Sequence, residues 1–98
     1  MSTLNKYQLQ TIYAACVLMR HEGATFAVCG EYADGPDGVV EALRESLDRP
    51  GTCVDVMLHD ESVRVARVYT AGELAGDPVA AVAALSALRE HFLQFPGA

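Results

Sequence analysis

Residues 52–70 hold two runs of alternating side chains on either side of a short polar turn. Val54, Val56 and Leu58 alternate with Cys53, Asp55, Met57 and His59. Beyond Asp60 and Glu61 the alternation resumes, with Val63 and Val65 set against Arg64, Ala66 and Val68. A period of two on both sides of a turn predicts a β-hairpin. Pairing His59 with Ser62 sets Leu58 opposite Val63 and Val56 opposite Val65, so one face of the hairpin becomes a continuous branched-apolar surface. Such a surface has to be covered by the rest of the chain.

The segments around the hairpin are predicted to supply the cover. Ser2 or Thr3 can cap a helix running to about Glu22, where Gly23 offers a left-handed stop. That helix carries two apolar stripes, Leu4, Tyr7, Thr11, Ala14 and Leu18 in one and Leu9, Ile12, Cys16 and Met19 in the other. A helix apolar on more than one side is buried by more than one neighbour, either the sheet and a second helix or, through the second stripe, another subunit. Residues 24–32 read as one strand weakened near its end by Gly30, and residues 33–38 read as a loop from their Asp-Gly and Pro content. A second helix is predicted over residues 37–48, with Val39, Val40, Leu43 and Leu47 inward and Asp37, Glu41, Glu45 and Asp48 outward. Residues 71–76 read as a linker. The last helix starts at Asp77 and Pro78 and runs to about Leu93, with Val79, Val82, Leu85, Leu88, Phe92 and Leu93 as its core face. Its back is formed by Ala80, Ala83, Ala84 and Ala87.

The order helix, strand, helix, strand, strand, helix predicts an α+β fold. A right-handed strand–helix–strand crossover places the returning hairpin strand in the middle of a three-stranded sheet of order 1-3-2. Two helices then cover one face, and the first helix covers the other face or an edge. The two outer edges are left without pairing partners.

Ninety-eight residues leave room for one core, so a single domain is expected. Hydrophobic residues make up 51% and charged residues 20%, proportions of a globular chain and not of a disordered one. No apolar run approaches a membrane span and residues 1–5 lack the basic start of a signal peptide, so a cytoplasmic location is expected. The three cysteines, Cys16, Cys29 and Cys53, are odd in number and lie in apolar stretches, as befits buried free thiols.

The net charge of −6 is unevenly placed. Residues 23–61 hold nine acids against Arg44 and Arg49, a net −7, whereas residues 62–98 balance to zero. Binding to nucleic acid through its phosphates needs clustered Lys and Arg, and that class is excluded. A basic protein surface is the partner such a field attracts.

Motifs for other chemistry are lacking. His21, His59 and His91 have no recognisable spacing to Cys29 or Cys53 that would suggest a nucleophile and its base. His59, Asp60 and Glu61 are consecutive, which suits a shared metal poorly. Asp34, Asp37 and Glu41 lack the spacing of a calcium loop. Gly35 and Gly38 precede a helix, yet the acids around them repel phosphate. No cofactor or metal is therefore expected.

Glu31, Asp34, Asp37, Glu41, Glu45 and Asp48 remain as the candidate partner-binding face. Carboxylates one helical turn apart lie about 5–6 Å from each other, a spacing comparable to that of nucleic-acid phosphates. The expectation is a small non-enzymatic domain that occludes a basic, nucleic-acid-binding surface of a partner. By analogy of size and charge alone, phage-encoded defence inhibitors and immunity proteins work in this way. Two other readings stand beside it. One is a homo-oligomeric structural, scaffold or secretion-chaperone-like protein, a homodimer in the simplest case, that self-associates through Ala80, Ala83, Ala84 and Ala87 and the second stripe of the first helix. The other is a small-ligand site near Cys29, Tyr32 and residues 34–38.

Overall fold

The structure, a computed structural model, describes residues 4–47, 50–59 and 64–94. In chain order its elements are α1 (Lys6–His21), β1 (Ala24–Val28), β2 (Glu31–Ala33), α2 (Gly35–Ala42), β3 (Cys53–His59), β4 (Arg64–Thr70), α3 (Ala71–Gly76) and α4 (Pro78–Gln94). A π-helical turn, Leu43–Leu47, extends α2. The class is α+β, as expected, but the sheet has four antiparallel strands in the order β2-β1-β3-β4.

The expected three-stranded 1-3-2 order fails at a single turn. Residues 24–32 are not one strand: Cys29 and Gly30 both take positive φ, 52° and 83°, and Val28 pairs with Glu31 across them. Two central residues of positive φ make the mirror-image turn whose twist matches a tight hairpin. The reversal sends the chain into α2 from the end of the sheet where β1 began. β3 can then lie antiparallel and directly beside β1, so no parallel crossover is formed. Ala24 pairs with Leu58, Phe26 with Val56 and Val28 with Val54. β4, expected in the middle, is the outer strand.

The hairpin of β3 and β4 forms with a wider loop than expected. Leu58 pairs with Val65, Val56 with Arg67 and Val54 with Tyr69, two residues out of step with the expected pairing of Leu58 with Val63 and Val56 with Val65. Ser62 and Val63 themselves lie outside the described residues. A shift of two keeps every side chain on its expected face, because side-chain direction along a strand repeats every second residue. Val54, Val56, Leu58 and Val65 are accordingly buried.

All the helices lie on one side of this sheet. Phe26, Val28, Val54, Val56 and Tyr69 join Ile12, Cys16 and Met19 of α1, Val39 of α2, Leu74 of α3 and Leu85 of α4 in one continuous core. The expectation that α1 covers the opposite face or an edge is therefore wrong. Of its two stripes, the one through Leu9, Ile12, Cys16 and Met19 is the core face, buried within the chain where α1 packs against α2, α3, α4 and β1. The other stripe is mostly exposed, with Tyr7 at 77% and Leu18 at 49%. The opposite face of the sheet carries Thr25, Asp55, Met57, Ala66 and Val68, none of which joins the core.

Local chemistry explains the helix starts. Asn5 accepts the Gln8 N–H through Oδ1 at 2.8 Å, and Gln8 Oε1 accepts the Asn5 N–H at 2.8 Å, a reciprocal capping box. Ser2 and Thr3, the caps expected from sequence, lie outside the described residues. The helix ends as expected before Gly23, whose N–H donates to the Arg20 carbonyl at 2.9 Å. Of the supposed loop of residues 33–38, Ala33 ends β2 and residues 35–38 are the first turn of α2, entered through Asp34 with Pro36 buried near its start. The supposed linker of residues 71–76 is α3, held by a second capping box between Thr70 and Glu73.

The core face of α4 is as expected over its middle and departs from expectation toward its ends. Leu85 is buried and Val82 and Leu88 pack against the core, as expected, and Ala81 joins them, whereas Val79 is 73% exposed and Leu93 40%. Ala81 is held against the sheet by Tyr69, whose phenol donates to the Ala81 carbonyl at 2.6 Å. The small Ala81 side chain admits that ring, and at 3.6 residues per turn Val79 then points away from the core. Residues 47 and 92, also expected in the core, have side chains outside the description.

Candidate functional site

Five of the six acids singled out from sequence fall in the described residues, and Asp48 does not. Glu31 lies on β2, on the helix-bearing side of the sheet, since its pairing partner Val28 faces the core. Asp34 precedes α2, and Asp37 and Glu41 follow one helical turn apart. All four are exposed, as is Glu45 in the π-helical turn. The turn closes through i→i+5 bonding and holds an extra residue, so Glu45 does not continue the stripe at regular helical spacing. Among the described residues none of the five carboxylates is engaged in an ion pair. The ion pair present joins Arg89 Nη1 to Glu22 Oε2 at 3.3 Å, between α4 and the end of α1.

Tertiary packing adds cations that the stripe lacks along the chain. Arg20 of α1 lies across the start of α2: a Cβ at Gly35, which has φ +72°, would come within 2.8 Å of Arg20 Nη1. Arg20 and His21 share with Tyr13, Pro36 and Asp37 a cleft of about 400 Å³. Tyr13 and Asp37 also line the adjoining cleft, about 350 Å³, with Leu9, Val40, Glu41 and Arg44. The acidic face thus borders a groove between α1 and α2, floored by apolar side chains, with an arginine toward each end. Sequence reasoning missed Arg20 and Tyr13 because nothing in the chain order shows that α1 and α2 lie side by side.

The alanine face of α4 is partly as expected. Ala80, Ala83 and Ala87 are exposed and Ala84 is half-buried. Ala80 and Ala84 line a third cleft, about 450 Å³, with Arg67, Tyr69, Glu73 and Asp77. The Arg67 guanidinium carbon stands 5.2 Å from the centre of the Tyr69 ring, a cation–π distance. Burial pushes the Tyr69 phenol above its usual range, with Arg67 acting in the opposite direction. The Thr70 backbone N–H and hydroxyl that cap α3 hold the Glu73 carboxyl below its usual range.

Chemistry at the cysteines and histidines is constrained in the same terms. Cys16 is fully buried, and desolvation pushes its thiol up to about 12, which keeps it protonated and unreactive. Cys29 and Cys53 are exposed, contrary to expectation, because the turn lifts one out of the sheet and the other begins β3 on the uncovered face. Among the described residues no group of three or more His, Cys, Asp or Glu side chains is arranged to hold a metal ion. Near Tyr32, Ala33 and Asp34 there is a hollow of about 140 Å³ that does not include Cys29, small beside the roughly 300–1,000 Å³ of small-molecule pockets. Among the described residues no helix is long and apolar enough to cross a membrane. No family model, curated protein or solved structure matches this chain.

Proposed function

We propose that this protein is a non-enzymatic interaction domain that docks a basic surface of a partner protein against its α2 side and excludes nucleic acid from that surface. The reading rests on one observation: Glu31, Asp34, Asp37, Glu41 and Glu45 are all exposed along β2 and α2, and none is engaged in an ion pair among the described residues. Carboxylates left to solvent keep their field available to a partner, and complementary charge raises the rate of encounter and rejects wrong partners. Arg20 and Arg44 line the clefts that Asp37 and Glu41 border, so the partner meets these two cations beside the carboxylates.

The test is capture of partners by the tagged protein, beside a Glu41→Gln, Glu45→Gln double variant. A partner held by the wild type, lost from the variant and displaced by duplex DNA or by raised salt is the expected result. Equal capture by both proteins would remove the acidic face from consideration. The substitutions are at exposed positions and should change stability by about 0.5 kcal/mol or less, so lost capture reports binding and not folding. A second reading, self-association, is favoured by the exposure of Val79, Ala80, Ala83 and Ala87 on α4.

A further inference from the structure

We infer that the chain forms a two-fold dimer by pairing β4 with β4 of a second copy, antiparallel and centred on Val68. The inference goes beyond the acidic-face reading and uses a different side of the molecule. β4 is the last strand of the sheet, and its outer edge has no strand partner among the described residues. At seven residues, Arg64–Thr70, it is too long an edge to be inert, since an unpaired row of N–H and C=O groups templates another strand. Val68, at its centre on the uncovered face, is 59% exposed.

Side-chain parity restricts how two copies can meet. Val65, Arg67 and Tyr69 point to the helix side, and Ala66 and Val68 to the other. Directly opposed residues share a face, so keeping both helix layers on one side requires odd positions to pair with odd. Centring on Arg67 would oppose two guanidinium groups. Centring on Ala66 would set Arg67 opposite Val65 of the second copy, away from the cleft that holds Glu73 and Asp77. Centring on Val68 sets Arg67 opposite Tyr69 of the second copy, at the mouth of the cleft that holds Glu73 and Asp77.

Charge identifies the occupant as another copy. Each cleft offers a cation, Arg67, beside two acids, Glu73 and Asp77, and an isologous interface requires such a self-complementary surface. In the register centred on Val68 each Arg67 reaches the acids of the other copy, and the contact is made twice. The exposed Ala80 and half-buried Ala84 beside the cleft place no large side chain in the way of the incoming strand.

The test combines sedimentation of the full chain with oxidative cross-linking in a Cys29→Ser, Cys53→Ser background. Val68→Cys should cross-link through the two-fold axis. Ala66→Cys should not, because in this register Ala66 faces Thr70 of the second copy. Arg67→Glu puts like charges at both ends of the interface and should weaken the dimer about tenfold or more. Circular dichroism checks that each variant keeps its fold. A monomer at micromolar concentrations, a dimer that cross-links at neither position, cross-linking at Ala66→Cys equal to that at Val68→Cys, or an Arg67→Glu variant that dimerises unchanged would each overturn the inference.

Discussion

Cys16 and Tyr69 show how a single buried group ties stability to pH. The folded chain holds the Cys16 thiol near 12 against an ordinary value of 9.0, so above pH 9 the unfolded chain releases a proton that the native one keeps. Stability from this group is complete below pH 9 and is lost as pH rises toward 12, by up to about 1.4 kcal/mol per pH unit. Tyr69, also raised, acts in the same direction above its ordinary 10.0. Denaturant unfolding at pH 8 and pH 10 should show this fall, and Cys16→Ala should make it shallower. A thiol reagent should modify Cys29 and Cys53 in the native protein and reach Cys16 only on unfolding. Tyr69→Phe leaves the Ala81 carbonyl without its 2.6 Å donor and should cost about 1–3 kcal/mol by the same unfolding measurement. That Cys16 lies inward was readable from its apolar surroundings. The bond from Tyr69 to Ala81 was not, because it joins two elements whose meeting depends on α3, a segment that reads as a linker.

The turn between β1 and β2 is the element on which the topology depends. Cys29 holds φ 52°, a conformation that costs a residue with a Cβ about 1–2 kcal/mol, and that asparagine tolerates better. Cys29→Asn should therefore stabilise the protein by about 0.5–1 kcal/mol, seen as a rise of a few degrees in thermal midpoint. Gly30→Val should destabilise by about 1–2 kcal/mol at φ 83°. If both are neutral, the turn is not formed as described. Gly30 was legible as an irregularity in a strand. Its role as half of a two-residue hairpin was hidden because cysteine is not a residue that announces such a turn, and because β2 is a strand of three residues with little alternation to read.

At the scale of the whole molecule, one helix layer on one sheet face makes the two sides of the protein different in kind. The covered face is the core, where Val56→Ala at a fully buried position should cost about 2 kcal/mol in chemical denaturation. The margins of that layer carry the two surfaces for which binding is proposed, the carboxylates of β2 and α2 on one side and the open edge of β4 with its cleft on the other. They separate under test: salt and Glu41→Gln, Glu45→Gln act on the first, Val68→Cys and Arg67→Glu on the second.

The α+β class, the alternating core face of β3 and β4, and the exposed acids of α2 could all be read from residue order. They rest on local rules, a period of two in strands and of 3.6 in helices, and on the cost of burying a charge without a partner. Strand order, the side of the sheet on which α1 packs, the burial of Ala81 beside Tyr69 and the arginines beside the acidic stripe came only with the folded chain. These depend on contacts between residues far apart in sequence. One reversal at Cys29 and Gly30 changes the direction in which every later element enters the sheet, and with it which residues are brought together.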